Sequence, residues 1–155
     1  MLRKGPEHVP DSAIVLLLSG VLLFFSIFCS TVLVVEGEAD DTLLTLVTAL
    51  LGYVIYTAVL GATGKLRRFI PTIASIMACG SILSVLMVAV FVMFGPFLGT
   101  SLASLLALFI LLWSVPVKGH IIARGIDQHW YAGIVIAMIV FIVQYAFQSS
   151  MTGRF

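Results

Sequence analysis

Residues 69–117 form a stretch of 49 residues that contains no charged side chain and no histidine. A helix rises about 1.5 Å per residue and the hydrocarbon core of a bilayer is about 30 Å thick, so this stretch is more than twice as long as one span. The strongest turn signal within it is the dipeptide Gly95-Pro96, followed by Gly99. We therefore predict two membrane-spanning helices joined by a very tight hairpin.

The whole chain has the composition of a membrane protein. It is 61% hydrophobic and 10% charged over 155 residues, with a mean hydropathy of +1.21. This composition excludes an ordinary soluble domain, and the absence of a basic stripe argues against a nucleic acid partner. The first apolar segment, 13–35, is too long for a cleaved signal peptide, so we expect it to remain as a span.

Five apolar segments have the length that a membrane span requires. Because lipid offers no partner for backbone N–H and C=O groups, each segment must be a helix. The sequence predicts an all-α fold, a polytopic membrane helical bundle with five transmembrane helices in a domain over 13–148. A tail over 1–12 precedes this domain and a tail over 149–155 follows it. The predicted spans are 13–35, 42–63, 69–94, 97–116 and 130–147.

The distribution of basic residues predicts the orientation, since Lys and Arg near span ends are retained on the cytoplasmic side. With a cytoplasmic N-terminus and an outer C-terminus, only Arg154 lies outside. In this arrangement Pro116 ends the fourth span and residues 118–129 form the longest inner loop. We expect an integral protein of a bacterial inner (plasma) membrane. The inner basic residues are then Arg3, Lys4, Lys65, Arg67, Arg68, Lys118 and Arg124.

With these boundaries no charged residue falls inside a span. The intramembrane polar groups are then limited to hydroxyls, the two cysteines, three tyrosines (Tyr53, Tyr56 and Tyr145) and Gln144. We expect the Gln144 amide to form a hydrogen bond across a helix interface. The alternative role for Gln144 is that of a substrate ligand.

Two clusters could hold a metal ion. The acidic turn with Glu36, Glu38, Asp40 and Asp41 could bind a hard divalent cation, although a solvated turn that caps the second helix is the preferred interpretation. The spacing of His120, Asp127 and His129 matches no established zinc pattern. We therefore expect no cofactor and no metal, and we predict no catalytic residues.

The segment 118–127 mixes basic and apolar residues, which suits contact with anionic lipid or with a cytoplasmic partner. The candidates for this interaction are Lys118, His120 and Arg124. The alternative is an ordinary connecting loop.

Small residues recur every four positions on three predicted helices, an arrangement that lets helix backbones approach closely in lipid. The contacts could lie within one chain or with a partner, and we favour the first. With Gln144, the packing candidates are Gly99, Ala103, Ala107, Ala58, Ala62, Ala74 and Ala78.

Residues 111–120 (LLWSVPVKGH), leading through Ala123-Arg124-Gly125 to the last span, resemble the Yip (Rab-interacting) superfamily of small five-span membrane proteins. The tight Gly-Pro hairpin and the layout of the termini are similar too. The resemblance implies a five-span bundle of the minimal bacterial type, whose biochemical role the family does not supply.

These observations favour a noncatalytic membrane scaffold or accessory subunit that acts through helix packing. Its partners would be membrane lipids and other integral membrane subunits, and a homo-oligomer is possible. The alternative is a small-molecule or lipid transporter, which predicts that Gln144, Tyr53 and Tyr56 converge on a hydrated cavity. An intramembrane enzyme is the least favoured class.

Overall fold

A computed structural model describes residues 13–30, 32 and 39–153 of the chain. Helix α1 is Ala13–Ser30 and α2 is Ala39–Ala62, followed by a short 3-10 helix, Leu66–Arg68. The helical stretch Phe69–Gly125 contains two helices that meet at Gly99, and we call them α3 (before Gly99) and α4 (after it). Helix α5 is Trp130–Thr152.

The described part of the chain therefore holds five helices that are long and apolar enough to cross a membrane. This confirms the predicted all-α bundle with five transmembrane helices. The ends of some helices differ from the prediction. Helix α2 begins three residues earlier, at Ala39, and α5 continues to Thr152, beyond the predicted end at 147. The end predicted for the first span, at 35, lies outside the described residues.

Helices α3 and α4 form a hairpin that reverses at one residue. Gly99 is the only residue in the stretch Phe69–Gly125 with non-helical backbone angles, φ 78° and ψ 159°. A positive φ is readily available to glycine because it has no Cβ. The chain does turn back here, because Arg68, at the start of α3, donates a hydrogen bond from Nη1 to the carbonyl oxygen of Arg124, at the end of α4 (3.3 Å).

Helix α4 does not end at Pro116. It continues to Gly125, so the predicted loop 118–129 is wrong over most of its length, and only residues 126–129 connect α4 to α5. Proline removes one helical hydrogen bond but is tolerated within membrane helices, where neighbouring helices support the backbone. An apolar face continues across Pro116, and Val115, Ile122, Ala123 and Ile126 on it are all buried.

Two turns lie side by side at one end of the bundle, which we call the basic end. One is residues 63–65 with the 3-10 helix, and the other is residues 126–129. The described Lys and Arg residues other than Lys118 all belong to these turns or the adjoining helix ends: Lys65, Arg67, Arg68 and Arg124. A hydrophobic core of buried side chains lies just inside this end. It consists of Tyr56, Leu60, Ile73, Ile76, Ile122, Ile126 and Val140.

Helices α4 and α5 approach most closely at two glycines. A Cβ built on Gly119 would lie 2.8 Å from the Cα of Ile134, and one built on Gly133 would lie 2.6 Å from the Cβ of Ala123. These distances leave no room for a side chain on either glycine. Backbone-to-backbone packing of this kind is how membrane helices gain dispersion contacts when lipid is as apolar as their side chains.

Candidate functional site

The continuation of α4 places one lysine inside the bundle. Lys118 lies seven residues before Gly125, or about 10 Å from the basic end of α4. Its side chain lines a cavity of about 160 Å³ between the helices. This corrects two sequence-based interpretations, that the spans carry no charged group and that Lys118 belongs to a cytoplasmic loop.

The cavity has a polar side and an apolar side. The polar side chains that line it are those of Thr45, Tyr53, Tyr56, Ser84, Lys118 and Gln144. Its apolar lining comes from α1 (Leu23 and Ile27) and from Ala49 and Ile76, with Gly52 and Gly80 contributing backbone. The structure thus brings together Gln144, Tyr53 and Tyr56, the three residues named for a transporter, and adds Lys118 to them.

The hydrophobic core separates this cavity from the basic end. Leu60 lies two residues before the end of α2, and Ile73 lies four residues after the start of α3. Ser84, in contrast, lies 15 residues into α3, about 22 Å from the basic end. The cavity therefore extends from the level of Lys118 toward the opposite end of the bundle.

Lys118 has no carboxylate partner among the described residues, whose two ion pairs both involve Asp127 at the basic end. A charged side chain at bilayer depth is costly, and such residues generally face a water-filled cavity or pair with another charge. The Lys118 side chain does line a cavity, so water or an anion there could stabilise the ammonium group.

Three hydroxyl groups of the cavity are also available to a ligand. Most serines and threonines in these helices donate a hydrogen bond from their hydroxyl to a backbone carbonyl oxygen of their own helix. Examples are Thr48 to Leu44 (2.8 Å) and Ser81 to Met77 (2.8 Å). The hydroxyls of Tyr53, Tyr56 and Ser84 make no such bond to any described residue. Together with Lys118 they give the cavity four groups that can donate hydrogen bonds.

Gln144 is fixed in place by α2. Its Nε2 donates a hydrogen bond to the carbonyl oxygen of Thr48 (2.8 Å), which is the kind of contact that the sequence predicts for an amide inside a span. The amide fits there because Gly52 has no side chain. This bond uses one of the two N–H groups of Nε2, so Gln144 can still offer its second N–H and the acceptor Oε1 to the cavity.

The packing candidates separate into buried and exposed groups. Ala74, Ala103 and Ala107 are buried and Ala78 is half-buried, whereas Ala58, Ala62 and Gly99 are exposed. The tightest contacts involve glycines that the four-residue repeats did not identify. Besides the Gly119–Gly133 contact, a Cβ on Gly125 would lie 2.9 Å from Oγ1 of Thr72.

Two ion pairs hold the turns of the basic end together. Lys65 Nζ lies 2.8 Å from Asp127 Oδ2, and Arg68 Nη1 lies 2.5 Å from Asp127 Oδ1. Hydrogen bonds from Lys65 and then Arg68 hold the pKa of the exposed Asp127 carboxyl below its usual value, because they stabilise its charged form. Asp127 has φ 54°, and this left-handed conformation ends α4 with a Gln128 N–H to Ala123 carbonyl bond of 2.9 Å.

The other two interaction candidates line a second concavity at the basic end. His120 and Arg124 face a space of about 480 Å³ that Lys118 does not line. The structure therefore divides the three residues between two sites.

In the described ranges no group of three or more His, Cys, Asp or Glu side chains could hold a metal ion. The side chains of the acidic turn, Glu36, Glu38, Asp40 and Asp41, are outside the described part.

The chain has no significant match to any protein-family model, to any curated protein or to any solved structure.

Proposed function

We propose that this membrane protein binds the anionic group of a small molecule or a lipid in the Lys118 cavity, as a component of a transporter. The observation that carries this proposal is that Lys118 lines a cavity between the helices and has no carboxylate partner among the described residues. An ionisable group at this depth is expensive to keep, and such groups in membrane helices mark substrate or ion pathways.

The size of the cavity limits what can enter. A volume of about 160 Å³ corresponds to about five water molecules, since each occupies about 30 Å³ in the liquid. It is below the range of about 300–1,000 Å³ that encloses a drug-sized ligand. A carboxylate or phosphate group fits, either as a free small anion or as the charged end of a larger molecule.

The donors match this chemistry. The ammonium group of Lys118 selects negative charge, while the hydroxyls of Tyr53, Tyr56 and Ser84 supply neutral hydrogen bonds. Because the hydrophobic core closes the cavity toward the basic end, release to that side requires the core to repack. The arrangement therefore supports binding from the opposite half of the membrane.

Thermal unfolding in mild detergent tests the proposal, with sodium acetate, phosphate and sulfate compared with chloride at constant ionic strength. We expect at least one of these anions to raise the unfolding midpoint saturably, by a few degrees, and expect Lys118→Met to abolish the effect. Lys65→Met is the matched control, because Lys65 lies at the exposed basic end and should leave the response intact. Phosphate and sulfate also stabilise proteins in general, and the comparison of Lys118→Met with Lys65→Met separates this effect from binding at Lys118.

An unchanged response in Lys118→Met, or no response to any of the three anions in the wild-type protein, would contradict the proposal. If one of these anions stabilises the wild-type protein, its uptake into proteoliposomes then measures transport. Flux that is equal for the wild type and for Lys118→Met would remove the transport role.

A scaffold or accessory subunit is the second candidate function, and one observation favours it. Ala58 and Ala62 are exposed on α2, so this small-residue pair is not buried against any other helix that the structure describes. Ala58 lies beside an apolar concavity of about 510 Å³ between α1, α2 and α3. Such a surface can accept a neighbouring helix.

Disulfide crosslinking tests the scaffold. Ala62→Cys should crosslink to a defined subunit in the native membrane, in a Cys29→Ser and Cys79→Ser background. Crosslinking that is no stronger than that of a control cysteine at exposed Val135, on α5, would contradict this role.

We also propose that the basic end faces the cytoplasm of a bacterial inner membrane, as the positive-inside rule and the Yip resemblance suggest. The clustering of Lys65, Arg67, Arg68 and Arg124 at one end supports this orientation. Thr63→Cys should be labelled by a membrane-impermeant maleimide only after the cells are opened. Labelling in intact cells would reverse the orientation.

A further inference from the structure

We propose that the concavity at the basic end holds the phosphate group of an anionic phospholipid. We call this space the basic-end hollow. It has a volume of about 480 Å³ and is lined by His120, Ala123, Arg124, Asp127, Gln128, His129 and Trp130. It does not share a residue with the Lys118 cavity, so the inference is independent of the proposed transport function.

The charges around the hollow favour an anion. The one carboxylate in its lining, that of Asp127, is already bound by Lys65 and Arg68. Arg124 lines the same space, and its guanidinium forms no ion pair with any residue that the structure describes. Lys65 and Arg68 thus offset the Asp127 charge, which leaves the charge of Arg124 in excess. A planar guanidinium can bind phosphate oxygens through two parallel hydrogen bonds.

The neighbouring side chains supply neutral hydrogen-bond donors. His120 and His129 each carry a ring N–H, and the Gln128 amide carries two more. Gln128 and His129 lie in the short turn 126–129, which the Asp127 ion pairs tie to the α2–α3 turn. The ion pairs of Asp127 with Lys65 and Arg68 therefore hold this turn, and the donors of Gln128 and His129 on it, in a fixed position.

Aromatic rings place the hollow at the depth of lipid headgroups. The ring of Tyr131 lies 4.0 Å from that of Trp130 and 5.1 Å from that of His129, centroid to centroid. Trp130 and Tyr131 are both exposed at the start of a membrane-length helix. Exposed Trp and Tyr at helix ends lie at the membrane interface. In the orientation proposed above, this end lies in the cytoplasmic leaflet, which is rich in anionic lipid. This position favours a lipid phosphate over a free phosphate ion.

Tryptophan fluorescence can report on binding, because the chain has only two tryptophans and one lines the hollow. In a Trp113→Phe background the emission comes from Trp130 alone. The detergent-solubilised protein is titrated with phosphatidylglycerol and, separately, with phosphatidylcholine. We expect a saturable change with phosphatidylglycerol and a much weaker one with phosphatidylcholine.

Two arginine variants separate a site from general attraction to a basic surface. Arg124→Gln should weaken the response to phosphatidylglycerol about tenfold or more, because it removes charged hydrogen bonds to the phosphate. Arg67→Gln is the matched control, since Arg67 is exposed at the same end but does not line the hollow. It should keep a saturable response with a much smaller shift of the midpoint.

Three results would overturn the inference. Equal weakening by Arg124→Gln and Arg67→Gln would mean that the lipid is attracted only by surface charge. An equal response to phosphatidylcholine would exclude selection of an anionic headgroup. The same saturable change with inorganic phosphate alone would assign the hollow to free phosphate. Arg124→Gln should retain the anion response that Lys118→Met loses, so the experiments test the two proposed sites separately.

Discussion

Gly52 of α2 makes room for Gln144 of α5. A Cβ built on Gly52 would lie 2.9 Å from the amide carbon of Gln144, closer than real Cβ contacts occur. Because Gly52 has no side chain, the Gln144 amide occupies this space and its Nε2 reaches the carbonyl oxygen of Thr48 at 2.8 Å. One missing side chain therefore determines where a polar group of the Lys118 cavity is held.

Gly52→Ala should displace Gln144 and break this hydrogen bond. We expect a loss of about 1–2 kcal/mol in the free energy of unfolding, the usual range for an interhelical hydrogen bond in lipid plus the displacement. Unfolding in mixed dodecylmaltoside and SDS micelles measures it. The control is Gly61→Ala on the same helix, where a Cβ would make an ordinary contact of 3.8 Å with Leu66. Equal stability of the two variants would refute the contact.

Gly133→Ala should be more damaging. Its Cβ would collide with the carbonyl oxygen of Gly119 and lie 2.6 Å from the Cβ of Ala123, so α4 and α5 must separate. We expect a destabilisation of about 3 kcal/mol, as for overpacking of a close-packed interior. Gly20→Ala on α1 has nothing within 4 Å and should be neutral or stabilising by about 0.5–1 kcal/mol. The same unfolding measurement compares them, and a mild effect of Gly133→Ala would disprove the close approach.

Lys118→Met should increase stability while it abolishes the response to anions. The change replaces a lysine that has no carboxylate partner in the described part of the chain with an apolar side chain of similar length, and we expect a gain of about 1–3 kcal/mol. Stability is measured by unfolding in mixed micelles without added anion. Lys65→Met, which removes a charge from the exposed basic end, should give no such gain. A clear loss of stability in Lys118→Met would show that the lysine has a structural partner.

Asp127→Asn should lower the unfolding midpoint slightly at neutral pH, because Lys65 and Arg68 lose their shared carboxylate. Asparagine tolerates the left-handed backbone at this position, so the variant tests the charge alone. The pKa of Asp127 is lowered in the folded protein, so its contribution is complete above the ordinary aspartate value of about 3.9 and disappears as the pH falls through the lowered pKa. Midpoints of the wild type and the variant should therefore converge in acid and in high salt. A difference that persists at low pH would contradict this origin.

Sequence reasoning predicted the number and type of the helices because each lipid-exposed segment must satisfy its own backbone hydrogen bonds. The predicted end of α4 is wrong because proline and lysine, here Pro116 and Lys118, are typical of the ends of membrane spans. Hydropathy depends on residue type and not on the direction in which a side chain points. The buried face of Val115, Ile122, Ala123 and Ile126 has helical periodicity, and that signal could have extended the helix to Gly125.

The candidate site was predictable only in part. Gln144, Tyr53 and Tyr56 stand out in the sequence because polar residues are rare within these spans, and the structure places them around one cavity. Lys118 lies outside every predicted span, so the sequence does not indicate that it belongs to this site. The tight glycine contacts depend on which helices are neighbours, as at Gly119 and Gly133, and a one-dimensional spacing rule does not contain that information.

The reversal of α3 into α4 at a single glycine has a consequence for biosynthesis. With only Gly99 outside helical geometry, the hairpin has no hydrophilic linker that could wait in water while one helix enters the bilayer before the other. We therefore expect both arms to enter the bilayer together, as a pair. A glycosylation tag or a protease site placed at this apex would therefore disturb membrane insertion itself, and topology mapping should use the turns of the basic end instead.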